Sequence, residues 1–286
     1  MAQEREIATR IVSLGELLEV VAAIRAIAAS QMQKALRSLE AIRRYSDTIR
    51  VALSDAAHML PSNGAVSAPA QISKSGVIVF CAEHGLCGGF NERLVRVAEQ
   101  ILAHNTRQFV LIVVGSRGAQ ICRERGLQPD RVLPMATHSA GVTGAARRLA
   151  TEVYGMLNDG RIEGLEVVYA QHHDDDAMRI ERRRLLPLEM PAVERQPALL
   201  PPLINLSPRR LFDDIVAEYF FAALENAAMQ SFYSENSTRF RTMAAAHQNI
   251  ESKTKDLTKL ARRLRQESVT TEILDLINSA QFLSFE

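Results

Sequence analysis

The sequence predicts an α/β domain carried between two long terminal helices, which pair as an antiparallel coiled coil. Three observations lead there. Glycine and proline are confined to the middle: residues 1–60 hold only Gly15, and residues 209–286 hold neither type. A heptad runs along the first segment. Short apolar runs alternate with helical spacing in between, as in a partly parallel sheet covered by helices.

The first segment, 1–60, reads as one helix. From Ile7 the chain steps by four and three through Leu14, Leu18, Val21, Ala28, Ala35, Leu39, Ile42, Leu53 and Leu60, broken only at Arg25 and Ser46. A repeat of 3.5 residues sustained this far forms a left-handed seam. Residues 61–75 (PSNGAVSAPAQISKS) read as a linker. The domain at 76–206 follows, with GVIVF at 76–80, FVLIVV at 109–114 and LEVVYA at 165–170 as strands, and a further strand at 180–188. Helical spacing covers 90–103, 118–125 and 140–157.

The last segment, 207–286, opens with Ser207 as N-cap and Pro208 at the first helical position. Phe212, Val216, Tyr219 and Ala223 make an apolar face. From Met229 to Lys255 the pattern turns polar, which predicts a partly exposed or solvated stretch. Leu257, Leu260 and Leu264 restore the pattern, and Val269, Ile273 and Leu276 continue it in a shifted phase. The apolar end, with Leu276, Ile277, Phe282 and Leu283, needs a pocket in its own coil or in a partner.

Composition narrows the function. With 34 Lys+Arg against 33 Asp+Glu, the net charge of +1 gives no support to nucleic-acid binding. At 47% hydrophobic and 23% charged, the chain is not disordered by composition. Three cysteines exclude a disulfide framework and suggest a reducing compartment. No apolar run is long enough to span a membrane, and the start MAQERE is neither a secretory signal nor a transit peptide.

The candidate chemistry is sparse. Residues 85–91 (GLCGGFN) follow a strand and open a helix, where a phosphate loop would lie. The loop lacks the Lys and Ser/Thr of a P-loop and does not match the dinucleotide fingerprint, so a tight turn is the stronger reading. His172, His173 and Asp174 to Asp176 are consecutive, so their side chains diverge; a solvated loop outweighs a metal site. Cys81 reads as core. Cys87, in the turn, is expected to be more exposed, and a catalytic thiol has little support. Lys253, Lys255, Lys259, Arg262, Arg263 and Arg265 form a basic stretch, either a solvated helix face or a surface for an acidic partner.

Three stretches carry a family resemblance. AASQMQKA at 28–35, HGLCGGFN at 84–91, and 235–249 continuing to RQESVTTEI at 265–273 resemble the gamma subunit of the rotary F-type ATP synthase. The resemblance spans the chain. It implies a non-catalytic central shaft, without cofactor or metal, turning between a membrane c ring and a ring of alpha and beta subunits, beside an epsilon subunit. It implies a peripheral position on the cytoplasmic face of a bacterial-type inner membrane, held through the complex.

By motif position the resemblance implies beta-subunit contacts at Arg239, Arg265, Gln266, Thr270, Glu272 and Ile24. It sets Lys253, Lys255, Lys259, Arg262 and Arg263 toward an acidic lever of beta, and the apolar tip in an upper bearing. Gly85, Gly88 and Gly89 match the family's turn glycines, with a structural role. Glu19, Ala22 and Gln31 stand where the family usually has Lys or Arg, and Ile204-Asn205-Leu206 replaces its usual segment before the last helix. These departures imply a divergent branch, and we expect the sodium-translocating type. The competing reading is a stand-alone α/β ligand-binding protein or enzyme with coiled-coil oligomerisation arms. It requires small-ligand binding or turnover by the chain alone. A coiled-coil tether using its basic stretch on a polyanion would instead bind with strong salt dependence.

Overall fold

The computed structural model describes residues 2–60, 72–103, 108–172, 178–188 and 204–283, with side chains from 4 to 274 within those ranges except at His172. The elements in chain order are α1 (Ala2–His58), β1 (Lys74–Phe80), α2 (Phe90–Ala103), β2 (Gln108–Val114), α3 (Ser116–Glu124), β3 (Arg131–Leu133), α4 (Val142–Asn158), β4 (Gly164–His172), β5 (Met178–Leu186) and α5 (Pro208–Leu283). The chain forms two compact units. One comprises Met1–Ile27 and Phe240–Glu286; the other is Ala28–Arg239.

The second unit holds the sheet, ordered β3-β2-β1-β4-β5. β1 pairs parallel with β2 and β4, β2 parallel with β3, and β4 antiparallel with β5. The expected strands are present, each begun or ended a few residues away. β3 was not foreseen: three residues, Arg131-Val132-Leu133, are too few to show a period.

Alternation along the strands divides the core. Val77, Val79, Leu111, Val113 and Val168 face α2 and α3, packing on Phe90, Leu94, Ile101 and Ile121. Ile78, Phe80, Ile112, Val114 and Val167 face the other way, onto Leu149 and Val153 of α4, Leu39 and Ile42 of α1, and Leu224 and Phe232 of α5. Burying an aliphatic or aromatic side chain contributes about 1.5–3 kcal/mol, so these two layers dominate the stability of the unit.

α1 and α5 run antiparallel within this unit. Leu53 and Ala56 pack on Phe212, while Tyr45, earlier in α1, donates its hydroxyl proton to Glu218, later in α5. The heptad identifies the packed stripe. Ile7, Val21, Ala28, Ala35, Leu39, Ile42, Leu53 and Ala56 are buried, and the other seam positions through Leu60 are half-buried.

α3 approaches β1 unusually closely. A Cβ built on Gly118 would lie 2.1 Å from Cys81 Cβ, and one on Gly115, with φ 112°, 2.5 Å from Cys81 O. Gly118→Ala would raise helix propensity by up to about 1 kcal/mol. Overpacking costs about 1–3 kcal/mol or more, and a 2.1 Å approach to Cys81, the buried residue just past β1, belongs at the upper end. The clash wins. The urea midpoint of Gly118→Ala is expected to fall; an unchanged or higher midpoint would contradict this packing.

Candidate functional site

In an open α/β sheet, ligands bind outside the carboxyl ends of the strands, where the strand order reverses. That point here lies between β1 and β4, because the chain passes from β1 outward through β2 and β3 before returning to β4. Pairing of β1 with β4 ends at Val79–Val168. Beyond that rung the crevice is occupied by α5. Ser231 Oγ donates to Phe80 O at 2.8 Å and accepts from Ala170 N at 3.5 Å. Ser234 Oγ donates to Ala170 O at 3.1 Å.

This corrects the expectation of exposure for the first part of the polar stretch; from Thr238 to Lys255 every residue but Met243 is half-buried or exposed, as expected. Gln230, Ser231, Ser234, Glu235, Asn236 and Ser237 are all buried, at 5% exposure or less. Ser231 and Ser234 meet backbone groups that the sheet leaves unpaired at its end, while Asn236 Nδ2 donates to Phe232 O of its own helix and Glu235 pairs with Arg239. A buried polar atom left unsatisfied costs about 1–3 kcal/mol, so hydroxyl side chains are favoured there over aliphatic ones. Sequence reasoning read the polarity as exposure. The available signal was Ser231 and Ser234, three apart and so on one helix face, in a helix that never breaks.

The glycine-rich turn lies beside this joint. Asn91 Oδ1 accepts from Ala82 N at 2.8 Å, and its Nδ2 donates to Cys87 Sγ at 3.5 Å. Leu86 (φ 62°) and Gly88 (φ 55°) take left-handed backbone. A Cβ on Gly85 or Gly89 would meet no atom within 4 Å. Cys87 is buried rather than exposed, and burial pushes its thiol up to about 11. Burial pushes Cys81 well up and Cys122 to about 11, so all three thiols stay protonated near neutral pH.

Arg239 ties α5 to this turn. Its Nη2 donates to Gly85 O at 3.3 Å and His84 O at 3.5 Å, and pairs with Glu235 Oε1 at 2.7 Å. Burial drives the Glu235 carboxyl up to about 7, opposed by Arg239 and reinforced by Glu83. Glu83 fixes the start of the same turn. It accepts from Ser116 N, Ser116 Oγ and Met135 N. Burial works against its charge, but these hydrogen bonds prevail and hold it below the usual carboxylate range.

The Glu235 shift carries a pH prediction. Its carboxyl sits at about 7 in the folded state against an ordinary 4.5, so the folded state binds the proton more tightly. Its contribution to stability is present below pH 4.5 and lost as pH rises to about 7. Denaturation midpoints at pH 4.5 and pH 7.5 should therefore differ less in Glu235→Gln than in the parent. Equal pH dependence in both would refute the shift.

The basic stretch belongs to the first unit. Lys253, Lys255, Lys259, Arg262, Arg263 and Arg265 are exposed, and Arg263 pairs with Glu267 at 2.8 Å. Arg262, Arg265, Gln266, Val269 and Thr270 line one surface depression of about 670 Å³. Thr270 Oγ1 donates to Gln266 O, and Glu272 is exposed nearby in sequence. Ile24 of α1 is half-buried. Four predicted contact residues thus lie together or close in sequence, whereas Arg239 is in the other unit and engaged with the turn. Leu276, Ile277, Phe282 and Leu283 lie in α5, but their side chains fall outside the described residues. So do residues 173–176. Among the described residues no three metal-capable side chains cluster, and no helix is long and apolar enough to cross a membrane.

The family model for ATP synthase matches residues 3–283. The ATP synthase gamma chain of Desulfitobacterium hafniense is 25% identical, covering 99% of this chain and 100% of its own. That of Caldanaerobacter subterraneus is 28% identical over 97% and 99%. A chain in the rotor of the Euglena gracilis mitochondrial ATP synthase shares the fold, with a TM-score of 0.67 at 13% identity, covering 94% of this chain and 99% of that one.

Proposed function

The chain belongs to the ATP synthase gamma family, the central rotor stalk of the F-type enzyme, and we propose that its joint at Ser231, Ser234 and Arg239 carries torque between the sheet domain and α5. The observation that supports this is the occupied crevice. Where a related sheet would take a ligand, this one is hydrogen-bonded to a helix that continues into the other unit. A twisting load on the helix is thereby passed to β1, β4 and the turn by directional bonds, rather than by a greasy contact that slips.

The chain is itself non-catalytic in this reading. Its partners are the alpha and beta subunits, the epsilon subunit and the membrane c ring. It works on the cytoplasmic face of the membrane, held there through the complex. Ion flow turns the ring, and the asymmetric helices present different faces to the three beta sites in turn. A shaft changes site affinities only through contacts that differ between the states it touches. The full chain should co-purify stoichiometrically with alpha and beta subunits and hydrolyse no ATP alone. ATP turnover by the isolated chain would overturn the reading.

The exposed cations of α5 serve this role by meeting an acidic lever of beta. Exposed pairs contribute only about 0.2–1 kcal/mol each, so one reversal is a weak test. The triple variant Lys255→Glu, Lys259→Glu, Arg262→Glu is expected to lower coupled ATP synthesis several-fold and to reduce its salt dependence. Unchanged synthesis would exclude these residues from the lever. The sodium-translocating type is tested separately, by whether sodium activates the ATPase of the assembled complex; no sodium effect at any pH would exclude it.

A further inference from the structure

Ser46 breaks the heptad of α1, and the break has a structural counterpart. A cavity of about 40 Å³ lies at the junction of α1, α5 and β5, lined by Ser46, Arg183, Tyr219, Ala222, Ala223 and Asn226. Ser46 Oγ and Asn226 Oδ1 are buried and have no protein hydrogen-bond partner. Arg183 Nη2 donates to Tyr219 OH at 3.2 Å, which leaves the tyrosine its own proton to donate.

We propose that this cavity is a built water site, in which one water bridges Ser46, Asn226 and Tyr219 and so links α1 to α5. The volume suits the ligand: a water needs ~10–15 Å³ of such space and occupies about 30 Å³ in the liquid. The chemistry suits it too. Buried waters make about three hydrogen bonds to otherwise unsatisfied groups. Asn226 Oδ1 accepts, Tyr219 donates, and the Ser46 hydroxyl does either. Ala222 and Ala223 supply small walls that leave the room. An aliphatic residue at position 46 would have completed the seam; serine holds solvent in it instead, at a defined place.

The sign of a substitution effect separates this from two merely orphaned groups. If no water were bound, replacing either polar side chain by an apolar one would relieve an unsatisfied atom and raise the thermal midpoint of the full chain. With the water bound, Ser46→Val and Asn226→Leu each strip one of its partners, and each is expected to lower the midpoint by several degrees. The double variant, which expels the water and fills the cavity, should lose less than the two single losses together. A rise in both single variants, or strict additivity, overturns the proposal. A high-resolution structure of the assembled complex provides the second reading. Ordered density within hydrogen-bond distance of Ser46 Oγ and Asn226 Oδ1 supports the site. A direct bond between these two side chains, or an empty cavity, overturns it.

Discussion

Arg239→Ala is expected to uncouple the assembled complex and to destabilise the chain by about 1–3 kcal/mol, the cost of leaving buried polar groups without partners. Four interactions go at once: the pair with Glu235 and the bonds to Gly85 O, His84 O and Asn236 Oδ1. Arg239 is also what opposes the burial-driven rise at Glu235, which is 5% exposed, so without it the carboxyl takes a proton and loses its partner. Two further variants separate stability from coupling. Arg239→Ala with Glu235→Gln removes the ionisable carboxyl and should recover stability above neutral pH, where the lone group would have to ionise while buried. It should not recover coupling, because the turn remains detached from α5. The measurement is ATP-driven ion pumping per ATP hydrolysed, beside a denaturation midpoint. If the double variant pumps normally, the clamp is structural alone.

The second large effect is expected at Phe232, which is 1% exposed and packs among the strands of the same face. Phe232→Ala removes that ring and leaves a cavity, at a cost of about 3–5 kcal/mol. Its neighbour Ser231 makes hydrogen bonds to two strand-end groups, and Ser231→Ala should cost about 1–3 kcal/mol. The comparison assigns the roles. Packing by Phe232 supplies the strength of the joint, and Ser231 sets where along the helix the joint forms. Urea denaturation of the full chain reads both. A larger loss at Ser231 than at Phe232 would reverse the assignment.

Much of the fold was legible because it rests on periodicity. The stripe from Ile7 to Leu60 is buried or half-buried at every seam position, as a 3.5-residue repeat requires. GVIVF and FVLIVV are strands because an uninterrupted β-branched run suits a sheet covered on both faces. The joint was not legible for a physical reason. Serine and asparagine read as exposed because most are, and only the position of Phe80 O and Ala170 O reveals that Ser231 and Ser234 answer them. Cys87 was misread likewise. A turn suggests exposure, but the thiol packs into the core on the α2 side of the sheet and accepts a hydrogen bond from Asn91 Nδ2. The motif residues Gln266 and Thr270 do share one depression, as helical neighbours four apart must; Arg239 carries the same kind of sequence signal and sits elsewhere, bound to the turn.

The first unit is assembled from Met1–Ile27 and Phe240–Glu286. On the ribosome its two halves are therefore born far apart in time. At ~5–20 residues per second, the stripe from Ile7 to Val21 waits roughly 10–40 s for the segment that covers it. During that interval it is a bare apolar ridge on an emerging polypeptide. Holdase chaperones would recognise such a ridge, and slowed translation before residue 240 would lengthen its exposure and favour aggregation of the nascent chain.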